Sequence, residues 1–347
     1  MPLLCAAARS RTCRPNKKRV SFNLMVLAFL QVCVVALLTP APQFSRRTAL
    51  AGVGASSSAL LLPRRGFAAT TGDNLLERLE TTAALAADAR MPINLALRPA
   101  YGIETPDVSY PQWALGRWKA TSTLRSVYAP AGEELFAPGR NGTEALRRAR
   151  IDAPLSYEVR WRRGKSDADP MQVIVDRGYN VASISRASMG ASSVQNVEED
   201  GADHLTLVLR PAGAPPTALF AADLRVVARR TDAFPLSAER PGLFACAETT
   251  RQTVTSIAGE KAQGTGPPKS PLIKEIETIC TYELDPNNPN VMRGFQRTAT
   301  FLVPDAAYTG DPSLVEMAAS RLTRAPNGQY VAVDVRVYDL IYTRVSA

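Results

Sequence analysis

From residue 116 onward, apolar and polar side chains alternate in short runs separated by Gly, Pro, Asn and Asp. That period of two is what a strand with one buried and one wet face imposes. Tyr157, Val159 and Trp161 alternate with Glu158, Arg160 and Arg162. Leu205, Leu207 and Leu209 alternate with Thr206, Val208 and Arg210, and Val331, Val333, Val335 and Val337 with Ala332, Asp334, Arg336 and Tyr338. The pattern predicts strands over 116–127, 155–163, 171–176, 179–188, 193–197, 204–210, 219–230, 244–257, 273–284, 294–303 and 329–345. Long strands with short turns predict an all-β domain. They favour an antiparallel barrel, closed or nearly so and of about 8–10 strands, over a sandwich.

Ahead of the strands, 73–90 reads as a helix. Asn74 and Glu77 fit a capping box, and Leu75, Leu79, Ala83 and Ala86 keep helical spacing. This helix is expected to pack on the body or over a barrel end. Its apolar face is mostly Ala and its polar face has no Lys/Arg cluster, which argues against a membrane-surface helix. Residues 91–112 carry Pro92, Pro99, Pro106 and Pro111 and read as an extended lead-in. It delivers the chain to YPQWALGRWKATSTL at 110–124, where Trp113, Trp118 and Leu124 are large anchors and Gly116 permits a bend. A short helix is expected at 312–321.

Charge divides the 347 residues in two. Ten of the 41 basic residues lie in 1–69, which holds no acid, so the remainder carries 31 basic against 32 acidic residues. The near-neutral body removes the support for a nucleic-acid partner. The basic part contains Lys17, Lys18 and Arg19 before an apolar run at 22–38, then Pro40 and Pro42, as in a secretory signal. The run of about 17 residues is at the lower edge of a membrane span, and a single uncleaved anchor is the competing reading. A second signal follows: Ser45-Arg46-Arg47 opens a twin-arginine segment, with small residues at 66–68 for a signal peptidase. The organisation expected is a secretory-type signal at 1–44, a lumenal targeting segment at 45–69, the helix and lead-in at 70–110 and the barrel domain at 111–347. The mature protein is not expected to span a membrane.

Candidate chemistry is sparse. His204 is the single histidine, which removes most zinc and Ser-His-Asp schemes. The acidic run 198–203 before it reads as a solvated hairpin loop, with weak calcium binding as the alternative; 285–290 reads as a turn. Asn141-Gly142-Thr143 is formally a sequon, and the basic runs at 147–150 and 162–165 read as solvated loops. No phosphate loop follows a strand, and no cofactor is expected. Of five cysteines, Cys246 and Cys280 lie in the body. A hairpin closed by the loop at 259–269 would place them opposite one another, and a disulfide and two buried thiols both remain open. Arg160, Arg162, Asp176, Arg177, Glu248, Arg251, Lys274, Glu275 and Glu277 lie in or beside predicted strands. They would form either a polar floor inside the barrel or ion pairs on its wet face.

The tandem presequence resembles those of algae with secondary plastids, where Phe44 would open the plastid-directed part; the resemblance implies the plastid and its thylakoid lumen. YPQWALGRWKATSTL, VDRGYNVASISRASMG, ETTRQTV, IKEIETICTYEL, GFQRTATFLVPD and VRVYDLIYTRV resemble, in that order, an uncharacterised family of cyanobacterial and plastid proteins known as a domain of unknown function. That family implies location and a single domain over 98–345, with no catalytic residues to carry over. Gly116-Arg117-Trp118 is similar to the opening motif of lipocalin-like (calycin-type) barrels, in which the Trp closes one end and an Arg of the last strand packs over it; Arg336 or Arg344 would do so here. The expectation is a non-catalytic lumenal protein binding one small apolar ligand, such as a pigment, lipid or quinone. Trp113, Trp118, Tyr157 and Trp161 would form the wall or closed end, with Arg160 and Arg251 as polar contacts. The alternatives are a photosystem assembly or stability factor whose partners are photosystem subunits, and a pigment-modifying enzyme.

Overall fold

Among the described residues, the alternating segments become one antiparallel sheet of ten strands. In chain order these are β1 Gly116–Tyr128, β2 Pro154–Arg163, β3 Val173–Val175, β4 Val194–Asp200 and β5 His204–Leu209, followed by β6 Leu219–Asp232, β7 Leu243–Ala258, β8 Leu272–Leu284, β9 Val291–Phe301 and β10 Asp334–Arg344. The computed structural model describes residues 74–86, 89–137, 142–149, 151–164, 171–210, 213, 214, 216, 218–232, 242–258, 272–302 and 323–345. The targeting segments, Asn141 of the sequon, the loop at 259–269 and the helix expected at 312–321 lie outside the described residues. The strand order is β3-β2-β1-β10-β9-β8-β7-β6-β5-β4, curled into a half-barrel consistent with a lipocalin-like all-β fold. The sheet does not close on itself by hydrogen bonds: β3 and β4 are its edges.

One expected strand is a helix, and it stands beside this opening. Residues 179–188 belong to α4, Arg177–Met189; three shorter helices precede it, α1 Leu75–Ala84, α2 Ile93–Ala96 and α3 Gly142–Arg147. Asp176 caps α4, its Oδ1 accepting from Tyr179 N, and Gly190 ends it at φ 105°, its N–H donating to Arg186 O. Its buried positions are Gly178, Asn180, Val181, Ala182 and Ser185; Gly178 with Ala182 and Val181 with Ser185 keep the spacing of four that fits a helix and not a strand.

β2 pairs with β3 only over Trp161–Arg163, so much of its outer edge has no strand partner. Side chains of α4 supply what a strand would. Arg160 N donates to Asn180 Oδ1 at 2.7 Å, Asn180 Nδ2 donates back to Arg160 O at 3.2 Å, and Glu158 N donates to Ser183 Oγ at 3.1 Å. On its other side α4 packs on β4 and β5, and Val181 and Ala182 join Leu205, Leu207, Leu209 and Phe220 in the core.

Part of the outer face is also covered. Leu75 and Leu79 of α1 pack on Ala247 and Ile279, and Arg78 reaches down to Glu277, which Arg297 meets at 2.6 Å. Burial would raise the Glu277 carboxyl, but Arg78 and Arg297 hold it below its ordinary value. The expectation of one wet face fails for β10. Val335 and Val337, with Val331 and Val333, face outward onto Met91 and Leu95, whereas Asp334, Arg336 and Tyr338 point into the half-barrel, so both faces are covered along the first half of the strand, while Ile341 and Thr343 further on remain exposed.

Candidate functional site

Between the wall of the half-barrel and α4 lies a cavity of about 100 Å³, partly open to solvent. Strand register delivers its lining. Tyr157 and Trp161 come from the inward face of β2, Cys246 and Glu248 from β7, Thr278, Cys280 and Tyr282 from β8, and Tyr342 from β10. Tyr110 enters from the lead-in, fixed by its N–H donating to Val173 O at 2.8 Å. Trp161 is the hub of the aromatic part: its ring centroid is 5.8 Å from those of Tyr110 and Tyr282 and 5.9 Å from that of Tyr342, all edge-on. Such contacts make a rigid apolar wall.

The polar side of the cavity is an ion pair. Arg177, the first residue of α4, donates to both carboxylate oxygens of Glu248, at 2.9 and 3.0 Å, and Arg229 Nε donates to Glu248 Oε1 at 2.8 Å. Asp107 lies 3.8 Å from Arg177. Burial alone would raise Glu248, yet the two guanidinium groups hold it below its ordinary value. Glu248 is therefore committed as a counter-ion rather than poised as a base.

Cys246 and Cys280 are register partners on β7 and β8, opposite one another as the hairpin reading requires, and both are free thiols. Burial pushes Cys280 up to about 12 and Cys246 also well upward, so neither is an activated nucleophile at neutral pH. Cys246 Sγ sits 3.7 Å from Tyr110 Oη, and Cys280 Sγ donates to Gln296 Oε1 at 3.8 Å. Among the described residues no three His, Cys, Asp or Glu side chains converge on a metal-sized point. His204 Nε2 lies 2.6 Å from Asp223 Oδ2, away from the cavity on the outer face. The arrangement can enclose a small flat molecule and offer it polar contacts.

The family model described as a domain of unknown function, DUF6816, matches residues 102–326. The chain belongs to that family. No curated protein matches it. Within this DUF6816 chain the matched span contains every lining residue of the cavity except Tyr342.

Of the four aromatic residues that sequence placed at the wall, the DUF6816 cavity brings together two, Tyr157 and Trp161, and with them Cys246, Cys280, Arg177 and Glu248 of the cysteine pair and the polar set. Trp118 is fully buried in the same aromatic core, and Arg344 is the arginine that lies over it, 4.2 Å from its ring. Arg336 covers Phe136 and pairs with Asp334. Trp113 is half-buried against the core and does not line the cavity.

The two arginines expected as polar contacts lie elsewhere. Arg160 is on the outward parity of β2, ion-paired with Asp176 and stacked on Tyr179. Arg251 is on the outer face of β7, 2.8 Å from Glu275. The arginine that lines the cavity is Arg177, which a helix start and not a strand carries inward. Of the wider polar set, Glu248 and Lys274 also face inward, while Glu275 and Glu277 face outward yet are sealed beneath the lead-in and α1. Tyr110, Asn180 and Gln296 lie within the quoted motifs but nothing in sequence singles them out, because only the final register brings them together.

Proposed function

We propose that this protein is a container: its half-barrel holds one small, largely apolar, ring-sized molecule and performs no chemistry on it. The cavity carries the reading. Its aromatic wall, its exclusion of most solvent and its committed ion pair are features of a binding site. About 100 Å³ is near the scale at which an apolar cavity takes a single benzene-sized ring. A whole pigment or lipid needs several times more. Of the ligands expected from sequence, the ring end of a quinone or pigment fits best, with any tail leaving through the open side. The tandem presequence supplies the proposed location, the lumen of the plastid thylakoid.

An assembly factor working on photosystem subunits through its outer surface has weaker support. The exposed large apolar side chains among the described residues, Ile93, Ile103, Ile151, Met171, Ile257 and Ile341, lie on six different segments, whereas a docking surface wants them contiguous. Native mass spectrometry of the protein isolated from its own plastid tests the proposal. One apolar molecule per chain is the expected result. A clean apo mass accompanied by a photosystem subunit would sink the container and move attention to the outer surface.

A further inference from the structure

Resting on the container reading, we propose that the ligand bears a neutral carbonyl-type oxygen, which accepts hydrogen bonds from Trp161 Nε1 and Thr278 Oγ1. Most of the other polar groups around the cavity have partners among themselves. Arg177 and Glu248 bind each other. Asn180 is spent on the edge of β2, Tyr110 is against Cys246, and Cys280 is against Gln296.

Among the buried polar atoms of the lining residues, Trp161 Nε1 and Thr278 Oγ1 stand without a partner. Both residues line the cavity, they are only 3% and 6% exposed, and neither polar atom has a hydrogen-bond partner. The contrast with Trp118 is direct, because that buried indole donates to Ala114 O at 2.8 Å. A buried polar group is ordinarily paired, since leaving it unpaired forfeits its solvation with nothing in return.

The chemistry of these two groups selects the ligand atom. An indole N–H can only donate, and a threonine hydroxyl can donate alongside it, so the matching group is an acceptor. A carboxylate is disfavoured, because Glu248 faces the same space and Arg177 is already neutralised by it. A single water would occupy only a fraction of this volume, as one needs about 10–15 Å³ in the same measure. A neutral ring ketone or quinone carbonyl meets the size, the aromatic wall and both donors.

Two probes of matched shape separate this claim from the container itself. Acetophenone and α-methylstyrene differ in having C=O or C=CH₂ on the same ring. The chain has three tryptophans, so titration of the ¹⁵N-labelled full chain gives an indole spectrum in which Trp161→Phe identifies the Trp161 signal. The expected result is that acetophenone moves that signal downfield and binds roughly tenfold more tightly than α-methylstyrene. The preference should fall toward unity in Trp161→Phe and in Thr278→Val, which keeps the shape of the threonine.

Equal binding of the two probes, or a preference that survives both substitutions, overturns the carbonyl inference and leaves the container standing. Failure of both probes to bind the unsubstituted chain overturns both.

Discussion

Arg344 donates from Nη1 to Leu115 O at 2.7 Å and from Nη2 to Trp113 O at 2.8 Å, while its plane covers the Trp118 ring. One side chain at the end of the last strand thereby fastens the entry of the first. The same contact explains Gly116, which sits at φ 117° and whose Cβ, if present, would meet Arg344 Nη1 at 3.1 Å. Arg344→Lys keeps the charge but loses the planar fork that reaches two carbonyls, and the stack with it. Loss of about 1–3 kcal/mol is expected, read as a lower urea midpoint at unchanged m-value; an unchanged midpoint would show that the fork carries no net stability. Sequence could nominate both Arg336 and Arg344 for this place, since they share the inward parity of β10. The choice belongs to the register, which pairs Arg344 with Trp118.

At the scale of elements, α4 does the work of an absent strand. Asn180 presents both an acceptor and a donor to the backbone of Arg160, as a neighbouring strand would. Asn180→Ala leaves Arg160 N without its partner, whereas Arg160 O keeps the bond donated by Asp176 N at 2.9 Å. The expected outcome is a loss of about 1–3 kcal/mol together with faster hydrogen exchange at the Arg160 amide; unchanged protection of that amide would refute the edge-capping role. This is also where legibility ended. The ten strands were readable because their period of two and the turn residues between them are local properties. Within 179–188, Tyr179 and Val181 begin the same alternation, which breaks at Ala182-Ser183-Ile184, and the other deciding marks were the cap at Asp176 and the stop at Gly190. Strand parity already sets Arg160 on the face opposite Tyr157 and Trp161, and the structure keeps it there; Arg177, one of the polar set named from sequence, faces the cavity because it begins a helix. The double burial of the first half of β10 was equally hidden, because the lead-in that covers its valines is distant in sequence.

Across the whole molecule, the interior is built from acids that must stay neutral and carboxylates that must stay charged. Burial raises the phenols of Tyr110, Tyr282 and Tyr342 well above the ordinary 10.0, and Tyr338 and the Cys280 thiol to about 12. Each contributes stability that is complete below its unfolded value, which for thiols is 9.0, and is lost as pH rises from there through the folded value. Glu248 and Glu277 run the other way. Held below 4.5, they contribute above that value, and their contribution disappears as pH falls through the lowered one. Stability should therefore be level between about pH 5 and 9 and decline on both sides. The alkaline limb is the more informative one, because a phenol sealed in the aromatic wall cannot ionise while the wall stands. In a titration followed at once by phenolate absorbance and by circular dichroism, the cavity tyrosines should ionise only as the sheet unfolds, in a single step above pH 10. Gradual phenolate formation below that pH with the sheet intact would mean that water already reaches the wall, and a wet wall would remove the apolar environment on which the proposed ligand depends.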